Sequence, residues 1–249
     1  MSENTVNKVA AVTGGARGIG AAIGAALAVD GWTVAVLDLD ESASVETAKS
    51  FGGLAAGFGV DIANSASVRA AFVRIAYELG PVTGLVNNAG IDVIKPFIES
   101  TEDEWDRIIA VNLKGTMLCC RAVLDHMMEA KAGRIVSIAS DAARVGSSGE
   151  AVYSATKGGI VSFTKTLARE VARSNITANC VCPGPTETAL LGQVAAYSEK
   201  LYAGLARAIP LGRTAQPTDV APAVAFLLSD GAAYITGQTL SVSGGLTMA

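Results

Sequence analysis

The sequence contains a single histidine, His126, in 249 residues. That scarcity excludes any chemistry needing several imidazoles. A Ser-His-Asp arrangement would depend on His126 alone, and no Gly-x-Ser-x-Gly turn accompanies it. A zinc centre would need further clustered ligands, and the sequence supplies none, so no metal is expected. His126 reads as an ordinary side chain of a helical stretch. Cysteine is also scarce, with only Cys119, Cys120, Cys180 and Cys182. The first two adjoin on a predicted helix and cannot share a face. The second two flank Val181, so on a strand they point the same way. Without a secretion signal, all four read as buried free thiols.

Aromatic residues make up only 5% of the chain, which argues against a ring-lined cavity. Basic runs are missing as well. The 19 basic and 23 acidic residues give a net charge of −4 with no Lys/Arg block. Nucleic acid and membrane surfaces are therefore disfavoured as partners. No uncharged apolar stretch approaches the roughly 18 residues of a membrane span. The segment Met1 to Lys8 is polar and lacks the pattern of a signal peptide. A cytoplasmic protein is the expectation.

What is abundant is small and apolar. Half of the residues are hydrophobic and 27 are glycine. Short β-branched runs read as strands over 8–13, 33–38, 55–60, 85–88, 134–138, 177–182 and 239–242. Helical spacing covers 18–29, 42–51, 65–79, 102–130, 153–173 and 218–228. Thr101 and Glu104 make a capping-box signature, and Pro217 stands near the start of the last helix. The alternation predicts an α/β Rossmann architecture, a doubly wound seven-stranded parallel sheet with helices on both faces. No linker or repeat divides the chain. Residues 1–249 read as one domain, with 186–208 an excursion after the sixth strand.

The first strand runs into Thr13-Gly14-Gly15-Ala16-Arg17-Gly18-Ile19-Gly20 and then into helix. Glycines there permit a tight turn and let backbone N–H groups approach a pyrophosphate. Placement at the first strand–helix junction separates this loop from glycine-rich loops of no function. Asp38 closes the second strand, 18 residues past Gly20. A carboxylate there would bond an adenosine ribose diol and repel a 2′-phosphate. The following residues, Leu39-Asp40-Glu41, include no cation, so the reading is NAD rather than NADP. Asp38 also stands where it would cap the next helix. Arg17 faces either a 2′-phosphate or the solvent side of the phosphates.

Tyr153 and Lys157 are four residues apart, and a helix puts them on one face. A phenol's ordinary pKa near 10 is too high for a base at neutral pH. A neighbouring ammonium lowers it. Tyr153 would then take an alcohol's proton as hydride leaves carbon, and return it in reduction. Ser140, at the carboxyl end of the preceding strand, would hydrogen-bond the substrate oxygen.

The ordered set of motifs resembles the short-chain dehydrogenase/reductase family over essentially the whole chain. It comprises Thr-Gly-x-x-x-Gly-x-Gly at 13–20, Asn87-Asn88-Ala89-Gly90, Asn112, Ser140, Tyr153-Ser154-Ala155-Thr156-Lys157, and Pro183-Gly184 followed by Thr188. The resemblance implies that Gly14, Arg17, Gly18, Ile19 and Gly20 cradle the dinucleotide. It implies that Asp61 and Ile62 contact adenine, with Asn88, Ala89 and Gly90 beside it. Pro183, Gly184, Thr186 and Thr188 would hold the nicotinamide carboxamide. Lys157 would also bond the nicotinamide ribose, so Tyr153 and Lys157 belong to the cofactor set as well. Asn112 would hold a water linking Lys157 to solvent. A homotetramer is implied too, with dimer faces at 102–130 and 153–173 and the segment Leu246 to Ala249 reaching a neighbour.

Within the family, Ile138 to Tyr153 and Pro183 to Leu190 look most like 2-hydroxycyclohexanecarboxyl-CoA dehydrogenases and related alicyclic alcohol dehydrogenases. A ring secondary alcohol or its ketone is then the substrate, with a CoA thioester as one form. Asp141, Arg144, Leu190 and Leu191 are its candidate contacts. Arg144 either meets an anionic group or sits on the surface. Leu190, Leu191, Val194, Tyr197, Leu201 and Tyr202 form an apolar lid, or pack against the body or another subunit. The rivals are a 3-oxoacyl-acyl-carrier-protein reductase using NADPH, and a dinucleotide-binding protein without catalysis.

Overall fold

The computed structural model describes residues 8–248. Segment 1–7 and Ala249 lie outside it, and with them part of the expected N-terminal and C-terminal readings. Seven parallel strands form one sheet in the order β3-β2-β1-β4-β5-β6-β7. They are β1 Val9–Thr13, β2 Thr33–Asp38, β3 Ala55–Gly59, β4 Val82–Asn87, β5 Gly133–Ile138, β6 Ile176–Pro183 and β7 Thr239–Val242. The helices are α1 Gly18–Val29, α2 Glu41–Ser50, α3 Ser65–Glu78, α4 Glu102–Ile108, α5 Gly115–Ala130, α6 Ala142–Val145, α7 Ala151–Val171, α8 Ala189–Tyr197, α9 Glu199–Ala208 and α10 Pro217–Leu228.

The alternating strand residues explain the two apolar layers. Val9 and Ala11 of β1 face α3, α5 and α7 with Leu37, Leu85 and Ile135. Ala10 and Val12 face α1 and α10 with Val34, Val36 and Val86. A strand covered on both faces must be apolar throughout, which is why β1 reads as a continuous run. Helix starts are set by side chains that accept otherwise unpaired N–H groups. Asp40 caps α2, Asn64 caps α3, and Thr101 with Glu104 closes a reciprocal box at α4.

Three differences from the sequence reading matter. The expected helix 102–130 is interrupted at Ile109–Lys114 by a π-helical turn. A 3.6-residue period cannot reveal one widened turn, and such turns frequently mark functional positions. The excursion 186–208 holds two helices, α8 and α9, whose residues alone show little strand or turn signal. Strand β4 begins at Val82, because Val82 and Gly84 pair with β1 and Gly84 with β5, the register passing over Thr83.

Gly57 in β3 lies directly under α2. A methyl group there would be 2.6 Å from the Val45 Cα, with the backbone of Ser44 closer still. Gly57→Ala is expected to cost about 2 kcal/mol, since backbone cannot yield as a flexible side chain would. Thermal unfolding should show this as a Tm lower by roughly 4–8 °C.

Candidate active site

Strands β1 and β4 adjoin, and the chain leaves them toward opposite edges of the sheet. Open parallel sheets bind ligands in the crevice at such a reversal. Here the two loops are bolted together. Thr13 Oγ1 accepts the N–H groups of Asn88 and Ala89 at 3.0 and 3.1 Å. Asn88 Nδ2 donates to the carbonyls of Thr13 and Gly14, both at 3.0 Å. Gly14 turns at φ +61°, a conformation that side chains rarely adopt. Arg17 and Ile19 flank the loop, Arg17 exposed as the N-cap of α1 and Ile19 packed on the core. Among the described residues no side chain caps the first turn of α1, which leaves its N–H groups open to an anion.

Asp38 stands beside this loop at the end of β2. Its Oδ2 accepts the Ala16 N–H at 3.3 Å and its Oδ1 accepts that of Asp40 at 3.4 Å. It is Asp40, not Asp38, that caps α2. Asp61 is exposed beyond β3 and accepts the Ala63 N–H at 2.9 Å. Ile62 is buried, its side chain against Gly115 of α5. The segment from β6 closes the other side. Gly184 bonds Val242 of β7, Thr186 Oγ1 donates to the Gly184 carbonyl, and Thr188 caps α8. Thr188 also lies against Gly18, 3.5 Å from where a Cβ would stand. The glycine loop, the uncapped helix start and the Asp38 carboxylate thus fit a dinucleotide's phosphates and ribose diol.

Tyr153, Lys157 and Ser140 meet at the carboxyl ends of β5 and β6. Ser140 follows β5 and hydrogen-bonds the buried Tyr153 hydroxyl. Lys157 is 3% exposed, donates to the Ile138 carbonyl at 2.8 Å, and lies 5.5 Å from the centre of the Tyr153 ring. Burial pulls the Lys157 ammonium down to about 8. Burial also pushes the Tyr153 phenol up, the negative charges of Glu150 and Asp92 push the same way, and the Ser140 hydrogen bond opposes them. In the protein alone burial dominates, and Tyr153 stands protonated.

Asn112 sits in the π-helical turn, fully buried. Its amide grips Ile91 from both sides, accepting the N–H at 2.8 Å and donating to the carbonyl at 2.9 Å. It also donates to Thr156 at 3.2 Å. Gly90 lies between Asn112 and Lys157, with Lys157 Nζ 3.3 Å and Asn112 Oδ1 3.4 Å from its Cβ position. The four residues therefore form one connected group.

The substrate candidates are less convergent. Leu191 is buried and Leu190 half-buried at the start of α8. Asp141 is buried and accepts the Ser241 hydroxyl at 2.7 Å. Arg144 turns to β7, donating to the Thr239 carbonyl and to Ser241. Leu201 belongs to α9, but its side chain is outside the described residues. Tyr202 donates to the Glu187 carboxylate, which Thr214 also bonds, and so ties α9 to the body. His126 is exposed on α5, and all four cysteines are free and buried. Two residues beside Tyr153 escaped the sequence reading, Asp92 and Glu150. Their only signal was an acid adjoining each of two family motifs.

Among the described residues no helix is long and apolar enough to cross a membrane. The profile of a family described as enoyl-(acyl carrier protein) reductase matches residues 14–247. The chain is 40% identical to 2-(S)-hydroxypropyl-CoM dehydrogenase 3 of Xanthobacter autotrophicus, covering 99% of each chain. It is 40% identical to 3-oxoacyl-[acyl-carrier-protein] reductase FabG of Escherichia coli, over 98% of this chain and 99% of that one. The corresponding reductase of Vibrio cholerae is 41% identical over the same shares. Likeness along the full length, joined to the glycine loop and the Ser140–Tyr153–Lys157 group, places the chain in the short-chain dehydrogenase/reductase family of oxidoreductases.

Proposed function

We propose that the protein is an NAD-dependent dehydrogenase of a small secondary alcohol, with a ring alcohol such as 2-hydroxycyclohexanecarboxyl-CoA as its substrate. The observation that carries the chemistry is the Tyr153 hydroxyl bonded to Ser140 with the Lys157 ammonium under its ring. When bound, the nicotinamide ring supplies the hydride acceptor and a positive charge. Ser140 holds the substrate oxygen in line with Tyr153. Tyr153 takes the hydroxyl proton during oxidation and returns it during reduction. Lys157 favours the phenolate and positions the nicotinamide ribose. Asn112, locked to Ile91, keeps Gly90 flat against Lys157 and leaves a path for water. The relatives' names support the substrate class, since a hydroxypropyl group is a secondary alcohol and a 3-oxoacyl group carries a ketone. Apolar Leu190 and Leu191 suit a ring. The whole chain acts as one domain, in the cytoplasm and as a homotetramer. Exposed Ile109, Met117 and Met128 on the α4–α5 face are consistent with burial against another subunit.

Asp38 supports NAD. Its carboxylate beside the glycine loop would stand against a 2′-phosphate, and one like-charge contact costs on the order of 1–4 kcal/mol. Asp38→Ala should raise the NADP-to-NAD ratio of kcat/KM by about tenfold or more. A ratio unchanged from the parent enzyme would remove Asp38 from the cofactor site. The activity itself is tested by steady-state oxidation of cyclohexanol, 2-hydroxycyclohexanecarboxyl-CoA, 3-hydroxybutyryl-CoA and a linear secondary alcohol, with NAD and then NADP. Preference for NAD and a ring substrate supports the proposal. NADP preference with activity only on linear thioesters supports the second reading, a 3-oxoacyl-acyl-carrier-protein reductase, which the FabG relatives favour.

A further inference from the structure

The loop that carries Ser140 is held from the far side of a neighbouring strand. Asp141 and Arg144 both follow β5, and β6 lies between β5 and β7. Yet both side chains end on one β7 hydroxyl. Ser241 Oγ donates to Asp141 Oδ1 at 2.7 Å and accepts from Arg144 Nη1 at 3.1 Å. Arg144 Nη1 also donates to the Thr239 carbonyl at 3.3 Å. Between them lies Cys182, the β6 residue that pairs with Ser241 in the register. Burial pushes its thiol up to about 11, the charge of Asp141 adds to the rise, and that of Arg144 opposes it.

Asp141 does not do what an acid at its position commonly does. It stands at the start of α6, and its side chain caps no N–H there. It is 5% exposed, and its Oδ2 is buried with no hydrogen-bond partner among the described residues. A buried carboxylate held by one side-chain bond is costly. Departures of this kind are tolerated where a neighbouring group must be held in place. The neighbour is Ser140. Its Oγ accepts the Ala142 N–H at 3.1 Å and its carbonyl accepts the Ala143 N–H at 3.0 Å. The Asp141 carbonyl accepts the Arg144 N–H at 2.9 Å, and the Asp141 N–H donates to the Pro183 carbonyl at 3.1 Å. Residues 140–144 are therefore one tight turn, and the Asp141 and Arg144 side chains tie it to β7.

We propose that Ser241, acting through Asp141 and Arg144, is a positioning residue that fixes the Ser140 hydroxyl for the substrate oxygen. The proposal rests on Ser140 as the group that holds that oxygen in the dehydrogenase reading. Guanidinium, hydroxyl and carboxylate form one polarised chain from Arg144 through Ser241 to Asp141, and charged ends strengthen both of its bonds. Arg144 is then engaged by the protein itself and not by an anionic group of the substrate. All three residues act on the substrate only by way of Ser140. A brace of this kind matters because a misplacement of about 1 Å at a reacting group can cost roughly 100-fold in rate.

The test uses the full chain as Ser241→Ala, Ser241→Thr, Arg144→Gln, Ser140→Ala and the double variant Ser140→Ala/Ser241→Ala. Rates are measured with NAD on cyclohexanol and on 2-hydroxycyclohexanecarboxyl-CoA. Ser241→Ala and Arg144→Gln should each lower kcat by about tenfold on both substrates, with KM little changed. Ser241→Thr keeps the hydroxyl and should hold the parental rate. Added to Ser140→Ala, Ser241→Ala should cost nothing further, because its effect passes through Ser140. A parental kcat in Ser241→Ala overturns the brace, and so does an equal loss with and without Ser140. An Arg144→Gln effect confined to KM for the CoA thioester also overturns it, since Arg144 would then be a substrate contact. If Ser140→Ala keeps parental turnover, the reading of Ser140 falls and the brace with it. If Ser140→Ala is inactive and Ser241→Ala is parental, only the brace falls. Should Ser241→Ala misfold, Ser241→Cys, a weaker hydrogen-bonding group of similar shape, replaces it. One readout needs no substrate, namely hydrogen exchange at the Ala142 N–H that Ser140 Oγ accepts. Exchange about tenfold faster in Ser241→Ala supports the brace, and an unchanged rate overturns it.

Discussion

Tyr153→Phe should leave the protein folded and able to bind dinucleotide while lowering turnover by roughly 10²–10⁴, the range of a lost general acid/base. The substitution removes one oxygen and no carbon. The ring stays packed near Lys157, and the loss of a single buried hydroxyl with its Ser140 bond costs about 1 kcal/mol of stability. Ser140 keeps its contact with the Ala142 N–H at 3.1 Å, so the loop after β5 has a second anchor. Activity and stability therefore separate in this variant. Titrating the dinucleotide by fluorescence, with unfolding in urea as a control, reads the two independently. Near-normal turnover would show that another group carries the proton. A loss of binding equal to the loss of rate would make Tyr153 a packing residue.

Gly20→Ala should do the reverse, weakening dinucleotide binding while leaving Tyr153, Lys157 and Ser140 where they are. A Cβ on Gly20 would fall inside the surface of the Gly14 carbonyl oxygen and 2.6 Å from Asn88 Nδ2. Neither can retreat cheaply. The Gly14 carbonyl belongs to the turn proposed as the cradle, and Asn88 Nδ2 holds that turn to β4. Overpacking of this kind costs about 1–3 kcal/mol, here charged to the conformation that binds phosphate. The dissociation constant for the dinucleotide should rise by about five- to 150-fold. Isothermal titration measures it directly. An unchanged constant would mean that α1 shifts freely and that the loop is not the cradle.

Much of this arrangement is legible in the residues. The runs at β1, β2 and β6 are apolar because both faces are covered, and their bounds fall within a residue or two of those expected. The glycine loop and the Tyr153–Lys157 spacing are local signals, readable without a fold. What stays hidden is what depends on distant partners. The widened turn around Asn112 has no periodicity of its own, and it is held by bonds to Ile91, 21 residues away. Helices α8 and α9 take their form from packing, as with the Tyr202–Glu187 tie. Asp92 and Glu150 lie 58 residues apart, and nothing in either neighbourhood points at the other. Arg144 reads either as a receptor for an anion or as a surface residue, yet β7 engages it from 95 residues downstream.

That last contact bears on how the molecule assembles. Asp141 and Ser241 are separated by 100 residues, Thr13 and Asn88 by 75. Each bond closes a long loop whose entropy must be met before the contact returns anything. Parallel sheets built from such pairings fold slowly. The loop after Ser140 can take its shape only with the edge strand β7 in place, since Asp141 and Arg144 bond Ser241 and Thr239. A folding intermediate with six paired strands would hold most of the core and no competent centre. A chain whose edge strand β7 is undocked is therefore expected to keep most of its core and lose its activity.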